Sequence, residues 1–392
     1  MSYSKINLKK NEEHRIRKGH LWVFSNEIKS IDGEADNGDI VNLYDYKEDL
    51  LGAGFYNRNS LIAVRLLEKS FGGNIRDYFK TKILKAFGLR QEIYPNRNSY
   101  RLAFSESDFI PGLIIDKYND TYVLQISSYG MQKNINHVVE VLKDELKAKN
   151  IFSRNENHFR KLEGLPEGDE VYFGDVSKEI IDDGKVKYEI DFNNSQKTGF
   201  YFDQCDNREF IEKIARGKTV LDAFCNVGGF GLYAAFAGAK SVTFVDSSKQ
   251  AIAQTKENIS LNGFEEKNFE LFAEDVFDYL KKCIDENKKF DIVMIDPPAF
   301  AKNKKLLSTA IKGYEKLNRM ALSVVSEKGF LVTSSCSHHV TKEKFIELIS
   351  AASQKANKTI QQIHFNEASL DHPQLPAMPE TSYLKFAVFK II

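Results

Sequence analysis

The spacing of apolar and polar positions changes character twice along the chain. Up to about residue 70 the apolar residues gather in short runs, GHLWVFSNEI, DIVNLYDY, LLGAGFYN and LIAVRLL, each of strand length and rich in aromatic and branched side chains. Asp32-Gly33, Asn37-Gly38 and Asn57-Arg58-Asn59 punctuate them as turns, which predicts a small β-barrel over residues 1–72. From 74 to about 94 the period lengthens, and Ile75, Tyr78, Phe79, Ile83, Leu84 and Phe87 recur at helical spacing. A strand pair turning near Asn119-Asp120, a second helix in HVVEVLKDELKAKN and a β segment over about 170–192 make residues 73–190 a central α+β domain.

Beyond about 217 strands and helices alternate regularly. TVLDAF (219–224), SVTFVD (241–246), NFELF (268–272), FDIVMID (290–296) and GFLVTSS (329–335) are separated by helical stretches such as 248–262 and 304–325. That alternation predicts a parallel sheet covered on both faces, with a ligand beyond the carboxyl ends of the strands. TIQQIHF and YLKFAVFKII are expected to close it as a hairpin. The expected fold class is therefore multidomain: a β-barrel, a central α+β domain, and an α/β Rossmann-like domain over residues 191–392.

Composition narrows the class. A chain of 392 residues accommodates two or three domains, and 42% hydrophobic with 28% charged residues suits a globular protein. No apolar run reaches the roughly 18 residues of a membrane span, and MSYSKINLKKNEEHRIRKGH lacks the apolar centre of a signal peptide. Cys205, Cys225, Cys283 and Cys336 form neither a CxxC pair nor a zinc-ligand spacing, so a reduced, cytoplasmic setting without a metal or a membrane is expected. With 55 basic and 55 acidic residues the net charge is zero, which argues against indiscriminate binding of nucleic acid over the whole surface. Two local clusters depart from that balance: Lys5, Lys9, Lys10, Arg15, Arg17 and Lys18, and Lys302, Lys304, Lys305, Lys312, Lys316 and Arg319.

The chemistry concentrates at the strand ends of the last domain. The first strand runs into Asp222-Ala-Phe-Cys-Asn-Val-Gly-Gly-Phe, a loop whose glycines let backbone approach a ligand closely; Phe224, Asn226 and Gly228 are its candidate contacts. The second strand ends in Asp246, suited to ribose hydroxyls, the third leads to Glu274 and Asp275, suited to an adenine amino group, and the fourth ends in Asp296-Pro297-Pro298-Ala299-Phe300. An acidic residue near each of four successive strand ends points to a nucleoside without a phosphate chain, because carboxylates repel pyrophosphate. The alternative, a dinucleotide-binding oxidoreductase, lacks its GxGxxG fingerprint here. The fifth strand ends in Ser334-Ser335-Cys336-Ser337-His338-His339, across the expected crevice from Asp296. A thiolate there suits addition to carbon 6 of cytosine, which makes carbon 5 nucleophilic, with Asp296 serving nitrogen 3 and Phe300 stacking on a flipped base. Cys225 and Cys283 are expected to be buried, inert thiols.

The set resembles the class I S-adenosylmethionine methyltransferases, with 222–231 as motif I and DPPAF as motif IV. GHLWVFSNEI with LLGAGFYNRNSLIAVRLL is similar to the RNA-binding PUA domain. SDFIPGLIIDKYNDTYVLQ, QKTGFYFDQCDNRE and DHPQLPAMPETSYLKFAVFKII are similar to the central domain, inter-domain hairpin and ending of the RlmI-type large-subunit ribosomal RNA methyltransferases. This resemblance implies S-adenosyl-L-methionine as cofactor, ribosomal RNA as partner and 5-methylcytosine as product. It implies Cys336 as nucleophile, Asp296 as motif IV carboxylate on both catalytic and cofactor duty, and Pro297, Pro298 and Phe300 as substrate contacts. It assigns Asp222, Phe224, Asn226, Gly228, Asp246 and Asp275 to the cofactor, with Lys197, Thr198 and Phe200 in a hairpin bordering its pocket. Cys205 departs from the family's DQRDNR run, and motif IV lacks the second cysteine of other RNA cytosine methyltransferases, which leaves the base for proton removal unassigned. Guanine-N7 methylation by the same fold, a non-catalytic RNA-binding assembly factor and a small-molecule methyltransferase are the competing expectations; a homodimer is left open.

Overall fold

The computed structural model describes residues 3–193, 197–300 and 306–392. Two compact units divide the chain: the first takes Met1–Glu179, Ile190–Phe200 and Asp371–Thr381, the second Ile180–Glu189, Tyr201–Leu370 and Ser382–Ile392.

The first unit opens with six strands, β1 (Lys5–Leu8), β2 (Trp22–Phe24), β3 (Ile28–Asp32), β4 (Ile40–Tyr44), β5 (Leu50–Tyr56) and β6 (Ile62–Glu68), with helix α1 (His14–Arg17) between the first two. Their order is β2-β6-β5-β4-β1-β3. The strands wrap around Ile6, Leu8, Val23, Val41, Leu43, Val64 and Leu66, giving the expected PUA-like fold. GHLWVFSNEI is not one strand. Glu27 folds back so that its carboxylate accepts from the Phe24 amide at 2.8 Å, and this contact splits the run at a short 3₁₀ turn. The central part packs α2 (Ile75–Ile93) and α3 (Tyr129–Asp144) on the sheet β11-β10-β9-β8-β7. These strands are β7 (Ser99–Phe104), β8 (Leu113–Tyr118), β9 (Thr121–Ile126), β10 (Asn150–Ser153) and β11 (Val171–Phe173), with α4 (Asn157–Leu162) between the last two. The expected second helix starts earlier than HVVEVLKDELKAKN, where the Ser128 hydroxyl caps the Met131 amide, and ends at Asp144. Barrel and central sheet share one apolar cluster in which Ala53, Phe55 and Leu67 meet Phe79, Leu102 and Ile126. Buried Arg65 bridges Glu106 at 2.8 Å and Glu163 at 3.1 Å in the same unit.

A hairpin of β12 (Lys178–Asp182) and β13 (Lys187–Asp191) follows. The stretch QKTGFYFDQCDNRE is not itself a hairpin. Its described residues form a turn, a 3₁₀ segment Phe202–Gln204 and helix α5 (Cys205–Ala215). Side chains take the turn's bonding capacity in place of a strand partner: the Thr198 hydroxyl donates to Asp116 at 2.5 Å and the Phe200 amide to the Tyr118 hydroxyl at 2.8 Å.

The second unit is built on seven strands, β14 (Thr219–Ala223), β15 (Ser241–Asp246), β16 (Phe269–Ala273), β17 (Phe290–Ile295), β18 (Val325–Ser335), β19 (Ile360–Asn366) and β20 (Lys385–Ile391), in the order β16-β15-β14-β17-β18-β20-β19. The first five in that order run parallel, while β20 is antiparallel to both of its neighbours. The strand order reverses between β14 and β17, where a Rossmann-like sheet opens its ligand crevice. Helices α6 (Gly229–Phe236), α7 (Lys249–Leu261), α8 (Val276–Asp285), α9 (Leu307–Val324) and α10 (Lys342–Lys355) connect the strands. Ser248, Asp275 and Thr341 cap α7, α8 and α10 by accepting first-turn amides, which fixes where those helices leave the sheet. The core joins Leu221, Val245, Val293 and Leu331 to Tyr314, Leu317 and Phe345. No helix among the described residues is long and apolar enough to cross a membrane.

Candidate active site

The carboxyl ends of β14, β15, β17 and β18 gather the expected residues into one region of the second unit. At the tip of β14, Phe224 and Asn226 hold left-handed backbones (φ 63° and 49°), strain that a plain connection has no need of. Gly228 follows at φ 86°, the conformation its missing Cβ permits. Helix α6 then starts hard against the sheet: a Cβ on Gly231 would lie 2.2 Å from the Phe244 ring. The Gly231 amide donates to buried Asp222 at 2.7 Å. Asp246 accepts from the Asn226 amide at 3.0 Å and the Ser248 amide at 2.9 Å, which ties the loop to the tip of β15.

Asp275 caps α8 with Oδ1, accepting from Phe277 at 2.8 Å and Asp278 at 3.2 Å. Beside it, Glu274 carries a buried Oε1 without a hydrogen-bond partner among the described residues.

Asp296 and Cys336 stand at the tips of adjacent parallel strands, β17 and β18, where Ile295 pairs with Thr333. Gln204, from the segment before α5, links the two strands by donating to Asp296 at 3.1 Å and to the Ser334 hydroxyl at 3.3 Å. Burial pushes the Asp296 carboxyl up to about 7, and the nearby Asp203 carboxylate adds to the rise. Burial likewise lifts Asp222 to about 7 against the amide bond from Gly231, with the Asp296 and Asp246 charges contributing. One buried cation opposes this concentration of negative charge: the Arg208 guanidinium lies against Gly229 and favours the ionised forms of Asp222 and Asp296.

Cys336 alone of the four cysteines is partly exposed. Burial raises the Cys225 and Cys283 thiols, as expected of inert ones, and Cys205 is buried beside Arg208 at 3.7 Å. Pro297 is buried, Pro298 exposed, and Phe300 half-buried with its ring 4.6 Å from that of Tyr314. Tyr314 therefore occupies one face of the ring expected to stack on a base. His338 and His339 are exposed. Lys197, Thr198 and Phe200 belong to the first unit, where the Thr198 hydroxyl donates to Asp116. Lys302, Lys304 and Lys305 lie outside the described residues, whereas Lys312, Lys316 and Arg319 sit on α9.

Sequence reasoning missed Gln204, Arg208, Tyr314 and Lys385. The first two belong to the DQCDNR run, whose density of hydrogen-bonding side chains was the available signal. The others sit in ordinary helix and strand patterns.

Known proteins share the sequence blocks and the fold of this chain. The family described as PUA-like domain matches residues 6–69, and that described as Conserved hypothetical protein 95 matches residues 200–366. The ribosomal RNA large subunit methyltransferase I of Aliivibrio fischeri (strain MJ11) is 36% identical over 99% of both chains. The chain belongs to the ribosomal RNA large subunit methyltransferase I family. The family's protein from Shewanella denitrificans is 34% identical, again over 99% of each chain. Among solved structures, SMU.776, assigned as a methyltransferase and complexed with SAH, matches over the whole of both chains with a TM-score of 0.86 at 23% identity, a likeness of fold.

Proposed function

We propose that this protein transfers a methyl group from S-adenosyl-L-methionine to carbon 5 of a cytosine in large-subunit ribosomal RNA, through covalent attack by Cys336. The observation that carries the reading is the pairing of a partly exposed thiol and a neutralisable carboxyl on neighbouring strand tips, joined by Gln204. The relatives' names supply the RNA class.

The residues fit the cofactor. A sulfonium cation suits a region where burial makes the Asp222 and Asp296 charges costly and a bound cation would favour their ionised forms. Asp246 has lone pairs to spare for ribose hydroxyls, and Glu274 with its orphaned Oε1, beside Asp275, suits the adenine amino group. The strained backbone at Phe224, Asn226 and Gly228 would lie along the nucleoside. The family resemblance adds Lys197, Thr198 and Phe200 to this set. When bound, S-adenosylmethionine supplies an electrophilic methyl on sulfur and departs as a neutral thioether.

Cytosine carbon 5 cannot attack that methyl unaided. The Cys336 thiolate adds to carbon 6, and the electron pair displaced from the 5,6 double bond is carried towards nitrogen 3. Asp296, held near neutrality, donates a proton or hydrogen bond there. Carbon 5 then takes the methyl and loses its proton to a base, the carbon 6–sulfur bond breaks to release Cys336 as thiolate, and nitrogen 3 returns to Asp296 any proton it had taken. Pro297 and Pro298 stiffen the backbone beside the base, and Phe300 offers the ring face that Tyr314 leaves open.

Nucleoside mass spectrometry of ribosomal RNA from cells with and without the protein tests the assignment. Loss of one 5-methylcytosine, not restored by Cys336→Ala, is expected. Loss of 7-methylguanosine instead, or restoration by Cys336→Ala, overturns the cytosine reading. Unchanged RNA together with no calorimetric binding of S-adenosylmethionine points to an assembly factor.

A further inference from the structure

Cysteine nucleophiles need a local reason to ionise near neutral pH, since an ordinary thiol is mostly protonated there. At Cys336 the neighbouring chain is tightly held. Ser334, Ser335 and Ser337 are all buried. The Tyr314 hydroxyl from α9 lies 2.9 Å from the Ser337 hydroxyl, and the Ser337 amide points to Ser335 Oγ at 3.4 Å. Antiparallel pairing of β18 with β20 sets Lys385, the first residue of β20, opposite Ser335, one position before the thiol. Lys385 is only 6% exposed, rare for a lysine. Its ammonium donates to the Ser337 carbonyl and to the Tyr383 carbonyl, each at 2.7 Å. Two backbone acceptors occupy two of its three donors, and the ammonium interacts favourably with Cys336.

We propose that Lys385 is the positioning cation of the nucleophile: anchored on the Ser337 carbonyl next to the thiol and on the Tyr383 carbonyl of its own segment, it holds Cys336 in place and stabilises its thiolate. The proposal rests on the reading of Cys336 as the attacking group. Among the described residues, further titratable groups face the pair from α9, β19 and the same loop. Tyr314 faces Cys336 from α9 and is pushed up by burial, so it stays a neutral hydrogen-bonding group. Glu367, at the end of β19, supports the charge on Lys385. His338 and His339 lie on the exposed side of the same loop, His338 against the Tyr383 ring. Burial lowers Lys385 to about 8, which leaves it mostly charged at neutral pH. An acidic partner there would raise the thiol and a neutral one would leave it inert; an ammonium lowers it.

The test is alkylation of the full-length protein by iodoacetamide across a pH series, read by mass spectrometry of the peptide that holds Cys336. In the wild type the reaction midpoint is expected below the ordinary thiol value of about 8.5. Lys385→Met should raise it by about one unit or more, and Lys385→Arg, which keeps the charge, should stay nearer the wild type. Methyl transfer by Lys385→Met should fall in kcat at neutral pH, recover partly as pH rises, and keep its KM for RNA. A wild-type midpoint at or above the ordinary value overturns the proposal even if Lys385→Met does not fold; so does an unmoved midpoint in a folded Lys385→Met. Retained methylation by Cys336→Ala would instead overturn the reading of the site, while the alkylation midpoint would still report whether the ammonium and thiol are coupled.

Discussion

At the residue scale the site is organised by carboxyl groups that the fold keeps from ionising easily. Asp222 and Asp296 both rise to about 7 because burial removes the water that would solvate their charge. A carboxyl whose pKa is raised on folding binds its proton more tightly in the folded state. Its contribution to stability is therefore full below the unfolded value of about 4 and is lost as pH climbs towards about 7. The ligand-free protein should consequently gain on replacement of Asp222 by Asn, more so as pH rises. The stability difference between Asp222→Asn and wild type should grow by roughly 2 kcal/mol from about pH 5 to about pH 8. Thermal melts at matched ionic strength check this, and a constant difference across the range would contradict it. Asp296→Asn keeps a hydrogen-bond donor for nitrogen 3 but no transferable proton, so kcat should drop by about 100-fold or more while the protein stays folded. Single-turnover methylation measures that loss.

At the scale of elements, the sheet order and the capped helices set where those residues meet. The strand-length apolar runs and the helical stretches between them after residue 217 were enough to read β14 to β18, the helices between them and the closing hairpin, because buried parallel strands leave continuous apolar runs. The acidic strand ends were legible for the same reason, since polar residues there interrupt the runs at fixed places. Less was legible before that point. The split of GHLWVFSNEI depends on Glu27 reaching back to Phe24, and the helix beginning at Cys205 depends on a segment whose polar residues are buried rather than exposed. Gln204, Arg208 and Lys385 act at long range, with 92 residues separating Gln204 from Asp296 and 48 separating Lys385 from Ser337, and no local period encodes such pairings. The start of α6 gives a prediction of its own. Gly231→Ala would push a methyl into Phe244 and crowd Asp222, so it should cost about 1–3 kcal/mol of stability and weaken S-adenosylmethionine binding. Calorimetry and melting curves measure both effects, and wild-type values for both would mean the loop is looser than this packing.

On the scale of the whole molecule, the chain carries a PUA-like barrel, a central α+β sheet and a Rossmann-like domain with no net charge to spread over them. RNA affinity must then come from local faces. The N-terminal basic cluster is smaller than its sequence count, because Arg15 pairs with Glu27 at 2.6 Å and Arg17 with Asp45 at 2.7 Å. Lys10 and Lys18 remain exposed. Reversing both charges to Glu should weaken binding of ribosomal RNA without sequence preference, and the slope of log affinity against log salt should flatten by about one for each phosphate no longer neutralised. Filter binding over a salt series measures this; an unchanged slope would move the RNA face elsewhere.

Methyl transfer to carbon 5 requires sulfur from the tip of β18 to bond to the pyrimidine ring. Large-subunit RNA carrying 5-fluorocytidine tests it most directly, because fluorine at carbon 5 leaves no proton to remove and the enzyme cannot let go. After incubation with S-adenosylmethionine, peptide mass spectrometry should find a methylated fluorocytidine nucleotide attached to Cys336. A methylated RNA with no adduct, or an adduct on Cys205, Cys225 or Cys283, would contradict the account.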